Sequence, residues 1–138
     1  MIVKEYNYLP EGAKKVRNQV FVIEQGFIEE FDDIDNIATH LVMYEMENPV
    51  STCRIYFNNS KQAFVIGRIA VIKEYRGQNI GARILNEAEN YIRQHNGKSA
   101  SLSAQVRVVT FYEKQGYQKQ GMIYLDENVP HIWMKKNL

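Results

Sequence analysis

The run Ile66-Gly67-Arg68-Ile69-Ala70-Val71-Ile72-Lys73-Glu74-Tyr75-Arg76-Gly77-Gln78-Asn79-Ile80-Gly81-Ala82 is where the fold can be read. Its first half is an apolar run of the strand-forming kind, its second a glycine-bearing turn, and an amphipathic helix follows directly. Such a junction makes an anion cradle, because the N–H groups of the turn and the positive end of the helix dipole converge on one spot. Gly77 and Gly81 let the backbone come close to an anion, and Arg76 adds a charged donor. The turn lacks the Gly-Lys-Ser/Thr ending of a Walker loop and the three glycines of a dinucleotide turn. Taken alone, it also reads as an ordinary strand-to-helix connection.

Working outward, Met1–Tyr6 is expected as a strand, and Pro10 opens a helix in which Ala13, Val16, Val20 and Phe21 recur until Gly26. The segment from Phe27 to Asn36 is acidic and aromatic, with no helical period. Thr39–Met46 and Val50–Phe57 read as a hairpin about Glu47-Asn48-Pro49, and Ala63–Ile72 as a strand buried on both faces. After the turn, Ile84, Leu85, Ala88, Tyr91 and Ile92 form one helical stripe closed by Asn96-Gly97. Ser99–Ala104 is a strand of small residues, Val106–Gln115 a helix stopped by Gly116, and Gln118–Leu125 and His131–Lys135 the last strands. This order of elements supports an α/β or α+β fold in one domain.

With 138 residues, 45% hydrophobic and 24% charged, the chain suits one soluble domain with a real core. A net charge of +1 gives no global field for nucleic acid or anionic membrane. No signal, transmembrane or lipidation segment is legible, so the cytoplasm is the expected compartment. The single cysteine, Cys53, allows neither a disulfide nor a cysteine-based zinc site, and its alternating strand context suits a buried inert thiol. Asp32, Asp33 and Asp35 lack the glycine and closing glutamate of a calcium loop, so no metal is expected.

Arg76, Asn79 and Gly81 stand at the three defined positions of an Arg/Gln-x-x-Gly-x-Gly/Ala loop. Downstream, Phe111-Tyr112-Glu113-Lys114-Gln115-Gly116-Tyr117 matches a Phe/Leu-Tyr-x-Lys-x-Gly-Phe/Tyr helix ending. The two motifs, in this order and with the element order of the whole chain, resemble the GNAT N-acetyltransferases, small bacterial type. Val20-Phe21-Val22-Ile23-Glu24-Gln25 resembles the ElaA-like branch. Asn79 departs from the usual glycine, yet Asn is the non-glycine residue that most readily takes positive φ.

The resemblance implies a single N-acetyltransferase domain over residues 1–138, with a mixed central β-sheet and helices on both faces. It implies acetyl-CoA as co-substrate, its diphosphate held by Arg76, Gly77, Gln78, Asn79, Ile80, Gly81 and Ala82. Its pantetheine arm would pair with the backbone of Ile69, Ala70 and Val71 and meet Gln105, where many relatives carry asparagine. The Val71 N–H would polarise the thioester carbonyl, and Tyr112 would protonate the leaving thiolate. A core aromatic is the competing reading of Tyr112. The acceptor would be a primary amine of a small molecule or peptide, and the assembly a monomer or homodimer. His40, Glu45, Asp35, Glu24 and His131 are all eligible as the amine's base; water can also serve, and spacing selects none. The carboxylates Glu29, Glu30, Asp32 and Asp33 suit a solvated loop or, beside an acceptor entrance, a guide for a cationic amine. A non-catalytic acetyl-CoA sensor on the same fold is the alternative function; a nucleotide-phosphate module is disfavoured, since no lysine follows the turn.

Overall fold

The computed structural model describes all residues, 1–138. Its strands are β1 (Ile2–Tyr6), β2 (Thr39–Glu45), β3 (Asn48–Asn58), β4 (Ala63–Val71), β5 (Ser99–Gln105), β6 (Gln118–Asp126) and β7 (Val129–Asn137). They form one seven-stranded sheet in the order β1-β2-β3-β4-β5-β7-β6. Every neighbouring pair is antiparallel except β4 and β5. A parallel pair needs a crossover, and α2 (Ile80–Gln94) supplies it. The other α-helices are α1 (Glu11–Arg17) and α3 (Val109–Lys114). None is long and apolar enough to cross a membrane.

Two faces of the sheet are packed differently. Ile80, Ile84, Leu85, Ala88 and Ile92 of α2 recur at helical spacing and are buried against Leu41, Cys53, Ile55 and Ile66 in the main core. On the opposite face, Val16 and Val20 pack on Ala70 in a small second cluster. Helices therefore lie on both faces, as the mixed architecture requires.

Three differences from the sequence reading shape the cleft. The helix expected from Pro10 to Gly26 is α-helical only to Arg17; Asn18–Glu24 winds as a π-helix. The wider winding lowers the pitch and redirects Phe21, Glu24 and Gln25 into the cleft. The helix expected over Val106–Gln115 begins as a 3-10 turn, Val106–Val108, and becomes α-helical at Val109. The run Ala63–Ile72, expected to be buried on both faces, is fully buried only at Val65, Ile66 and Ala70. The cause is its neighbour: β4 pairs with β5 only at Phe64↔Ala100 and Val65↔Ser101. Beyond those residues the two strands diverge.

Candidate active site

The divergence of β4 from β5 opens a cleft of about 1430 Å³ that runs from the turn at Arg76–Ala82 to Tyr112, Trp133 and residues 27–34. Single small-molecule sites occupy roughly 300–1,000 Å³, so this one has room for two substrates together. Strand alternation decides which backbone groups face it. The Ile72 N–H donates to the Val50 carbonyl at 3.0 Å, and the Ala70 carbonyl accepts from Ser51 Oγ at 2.8 Å. Residues 70 and 72 thus address β3, which turns the backbone groups of Ile69 and Val71 toward the gap. The Val71 carbonyl accepts from Arg76 Nε at 2.9 Å, and its N–H faces the same opening.

At the head of the cleft the turn has the expected shape. Asn79 lies at φ +61°, and Gly77 at φ +80° with nothing within 4 Å of where a Cβ would stand. The first helical bond of α2 runs from the Arg83 N–H to the Asn79 carbonyl at 3.1 Å. The N–H groups of Ile80, Gly81 and Ala82 therefore have no acceptor within the helix and form a cluster of donors. These residues fit a diphosphate.

Two expected ligands are engaged differently from the sequence reading. Arg76 does not stand free: its guanidinium donates twice to Glu24, each bond 2.9 Å long, besides its bond to the Val71 carbonyl. Gln105 is held at both ends of its amide, donating to Gln25 Oε1 at 2.8 Å and accepting from Arg107 Nε at 2.8 Å. Both side chains tie the end of the π-helix to the strands across the cleft. Pairing of this kind depends on three-dimensional neighbours and left no mark in the local motif.

Tyr112, on α3, lines the cleft and is 9% exposed. Burial pushes its hydroxyl above the usual tyrosine range, and the nearby Cys53 adds to the shift. Cys53 is fully buried and its thiol is pushed up by the same desolvation, which makes it inert.

The far wall rests on charges that the sequence reading left to solvent. Arg17 of α1 donates to Glu30 at 2.8 Å and to both oxygens of Asp35 at 2.7 and 3.0 Å. Arg54 of β3 meets Asp32 at 2.6 and 3.1 Å and Asp35 at 3.0 Å. Arg68 meets Glu30 at 3.0 Å from a β-bulge where its φ is +51°. Such a backbone is costly away from glycine, and the ion pair together with two bonds to the Glu30 carbonyl holds it there. Burial alone would raise the Asp35 carboxyl, but hydrogen bonds and charge from Arg17, the Asp32 N–H and Arg54 outweigh it and hold it at about 2. At Glu30 burial wins, and the carboxyl sits above its usual range.

This corrects the expectation of an acidic guide. Glu30 and Asp32 are neutralised by arginines, and of the four carboxylates only Glu29 and Asp33 are without an ion pair. The network fastens residues 30–35 to the sheet and leaves Phe27, Ile28 and Phe31 lining the cleft. Sequence reasoning missed Arg17, Arg54 and Arg68; an arginine on the apolar face of α1 was the one signal available.

The eligible bases are scattered. His40 is fully buried, burial lowers its pKa, and its Nε2–H donates to the Asp35 carbonyl at 3.0 Å. Asp35 is inside the network, Glu24 holds Arg76, and Glu45 pairs with Asn48 at the β2–β3 hairpin. His131 lines the cleft.

Comparison with known proteins agrees with this geometry. Residues 6–138 match the family model described as acetyltransferase (GNAT) domain. The uncharacterized N-acetyltransferase YjcF of Bacillus subtilis (strain 168) is 33% identical over 130 residues, which cover 92% of this chain and 91% of YjcF. Protein ElaA of Escherichia coli (strain K12) is 26% identical over 129 residues, 90% of this chain and 84% of ElaA. The crystal structure of Escherichia coli ElaA matches with a TM-score of 0.86 at 24% identity, covering 99% of each chain. An aminoglycoside 6'-N-acetyltransferase complexed with coenzyme A shares the fold at 15% identity, with a TM-score of 0.77 over 99% of this chain and 97% of that one.

Proposed function

The chain belongs to the GNAT acetyltransferase family, and we propose that residues 1–138 act as one N-acetyltransferase domain. It moves an acetyl group from acetyl-CoA directly to a primary amine of a small molecule or peptide. The observation that carries this reading is the interrupted β4–β5 ladder, which turns the backbone of Ile69 and Val71 toward a gap leading from the donor cluster to Tyr112.

The diphosphate of acetyl-CoA would rest on the N–H groups of Gly77–Ala82 and the positive end of α2. Its pantetheine arm would complete the sheet as an added strand along Ile69–Val71. The Val71 N–H would then face the thioester carbonyl, an oxyanion contact worth roughly 3 kcal/mol in the transition state. The Tyr112 phenol supplies the proton that the departing thiolate takes up. Its raised pKa suits this role, because the thiolate leaves into the same desolvated pocket. Burial raises the basicity of sulfur there too, as the neighbouring Cys53 illustrates.

The test couples binding to turnover. Acetyl-CoA at about a hundred times its dissociation constant should add roughly 2.7 kcal/mol of stability, read as a rise in melting temperature. Thiol release should follow when a panel of primary amines is added. The Cβ of Gly81→Val would stand 3.4 Å from the Phe111 ring and 3.9 Å from the Val71 side chain, so its branches would crowd the seam between α2 and β4 beside the proposed cradle, and this variant should lose the thermal shift. A folded Gly81→Val protein with an unchanged shift would put the cofactor elsewhere. A thermal shift without thiol release from any amine would favour a sensor.

A further inference from the structure

His131 is only 7% exposed, and it differs from the other eligible bases in lining the cleft with one ring nitrogen unengaged and the other pre-set in one tautomer. It lies on β7 directly opposite Gln105. Continued along the strands, the parallel register Phe64↔Ala100 and Val65↔Ser101 brings Gln105, and His131 beside it, level with Ile69–Val71 across the gap. The His131 Nδ1 is 2.8 Å from the Val129 carbonyl. A carbonyl only accepts, so Nδ1 carries the proton and Nε2 keeps its lone pair. No hydrogen bond within the chain occupies Nε2. The ring lies 6.0 Å from that of Tyr124 at 30°, and the Tyr124 hydroxyl is tied to Ser103 Oγ. A histidine held this way is a proton acceptor facing a cleft.

We propose that His131 Nε2 is the base that takes the proton from the acceptor's ammonium group, an assignment that rests on the acetyl-transfer reading above. The ammonium gives one proton to Nε2, and its freed lone pair forms the C–N bond at the thioester carbonyl. As the C–S bond breaks, the thiolate takes a proton from the Tyr112 phenol. The second proton lost by the new amide nitrogen returns to Tyr112 through solvent. Net, one amide, one free thiol and one proton are produced, and that proton leaves from His131. The Tyr124 ring on β6 packs against the imidazole, and Asp126 and Glu127 at the β6–β7 turn and Arg107, which donates to Gln105, line the same cleft.

The experiment compares ethylamine, an ammonium at neutral pH, with 2,2,2-trifluoroethylamine, which is already a neutral amine there. His131→Gln should lower kcat/KM for ethylamine by about 100-fold. It should leave the trifluoro analogue and the KM for acetyl-CoA little changed. Equal losses for both amines would make the residue merely structural and overturn the assignment. Nitrogen resonances of the wild-type ring give a readout that needs no acceptor: protonation on Nε2 would overturn it as well. A wild-type protein that binds acetyl-CoA yet acetylates no amine would defeat the transfer reading instead.

Discussion

The two walls of the cleft are built from different parts of the chain's chemistry. The wall made by β4, the Arg76–Ala82 turn and the start of α2 offers backbone N–H and C=O groups. The wall made by residues 25–34 with β6 and β7 offers side chains, among them Phe27, Phe31, Tyr124, His131 and Trp133. A backbone wall can hold the same ligand whatever residues line it, provided the turn keeps its shape. A side-chain wall changes its preference with each substitution. On the function proposed above, the first would hold the acetyl-CoA and the second the acceptor amine.

The largest effect is expected where a side chain completes the backbone wall. Tyr112→Phe keeps the ring's packing and removes only the hydroxyl, so turnover should fall by about 10² to 10⁴ with acetyl-CoA affinity nearly intact. Stopped assays of thiol release alongside calorimetric titration measure both. Wild-type turnover would leave Tyr112 a core aromatic and the backbone wall without a proton donor for the thiolate.

Arg17→Met sharpens the contrast from the other side. It leaves Glu30 and Asp35 buried without their shared partner, at a cost of about 3–5 kcal/mol in urea unfolding. By comparison, Ile84→Val in the apolar core under α2 should cost about 1 kcal/mol. In folded Arg17→Met protein the acceptor KM should rise while acetyl-CoA still raises the melting temperature. A parallel loss of both substrates would show that the walls are not independent.

Acid should act on the same network. The folded-state pKa of Asp35, about 2, lies below its ordinary 3.8. Its contribution is thus complete above about pH 4 and is lost as pH falls through about 2, amounting to about 2 kcal/mol. Unfolding curves of wild type and Asp35→Asn, run between pH 5 and pH 2, should converge by that amount. Stability differences that stayed constant over the range would mean that Asp35 is not held ionised by its arginines.

The smallest effect belongs to the seam where the walls meet. Exposed ion pairs contribute at most about 1 kcal/mol, so Glu24→Gln, by releasing Arg76, should tighten acetyl-CoA binding only a few-fold. Weaker binding would assign Glu24 a positive part in the grip.

The same division explains what the sequence disclosed. The turn, its αL residue at Asn79 and the helix that follows are local, so a short run of residues specifies them. The α2 stripe and the Phe111–Tyr117 helix ending were legible for the same reason, so the backbone wall could be placed on numbered residues. The side-chain wall could not. Its form depends on Arg17, Arg54 and Arg68 meeting carboxylates that lie 13 to 38 positions away in the chain, and one-dimensional spacing does not encode such meetings. Local propensity also reads Val20-Phe21-Val22-Ile23 as α-helix, whereas the π-winding is set by how those residues pack over Ala70 and the cleft.

The arginine network has one further consequence, for how such a protein can diversify. Residues 30–35 are moored by charge pairs, and the apolar core under α2 does not include Phe27, Ile28 or Phe31. Phe31 lies under the Arg17 guanidinium and Phe27 against Phe21, so their packing is local to the cleft and not to the core beneath the sheet. The mooring separates a scaffold under folding constraint from a short stretch at the cleft, and on the function proposed above substitutions in that stretch would act on the acceptor before they act on the fold.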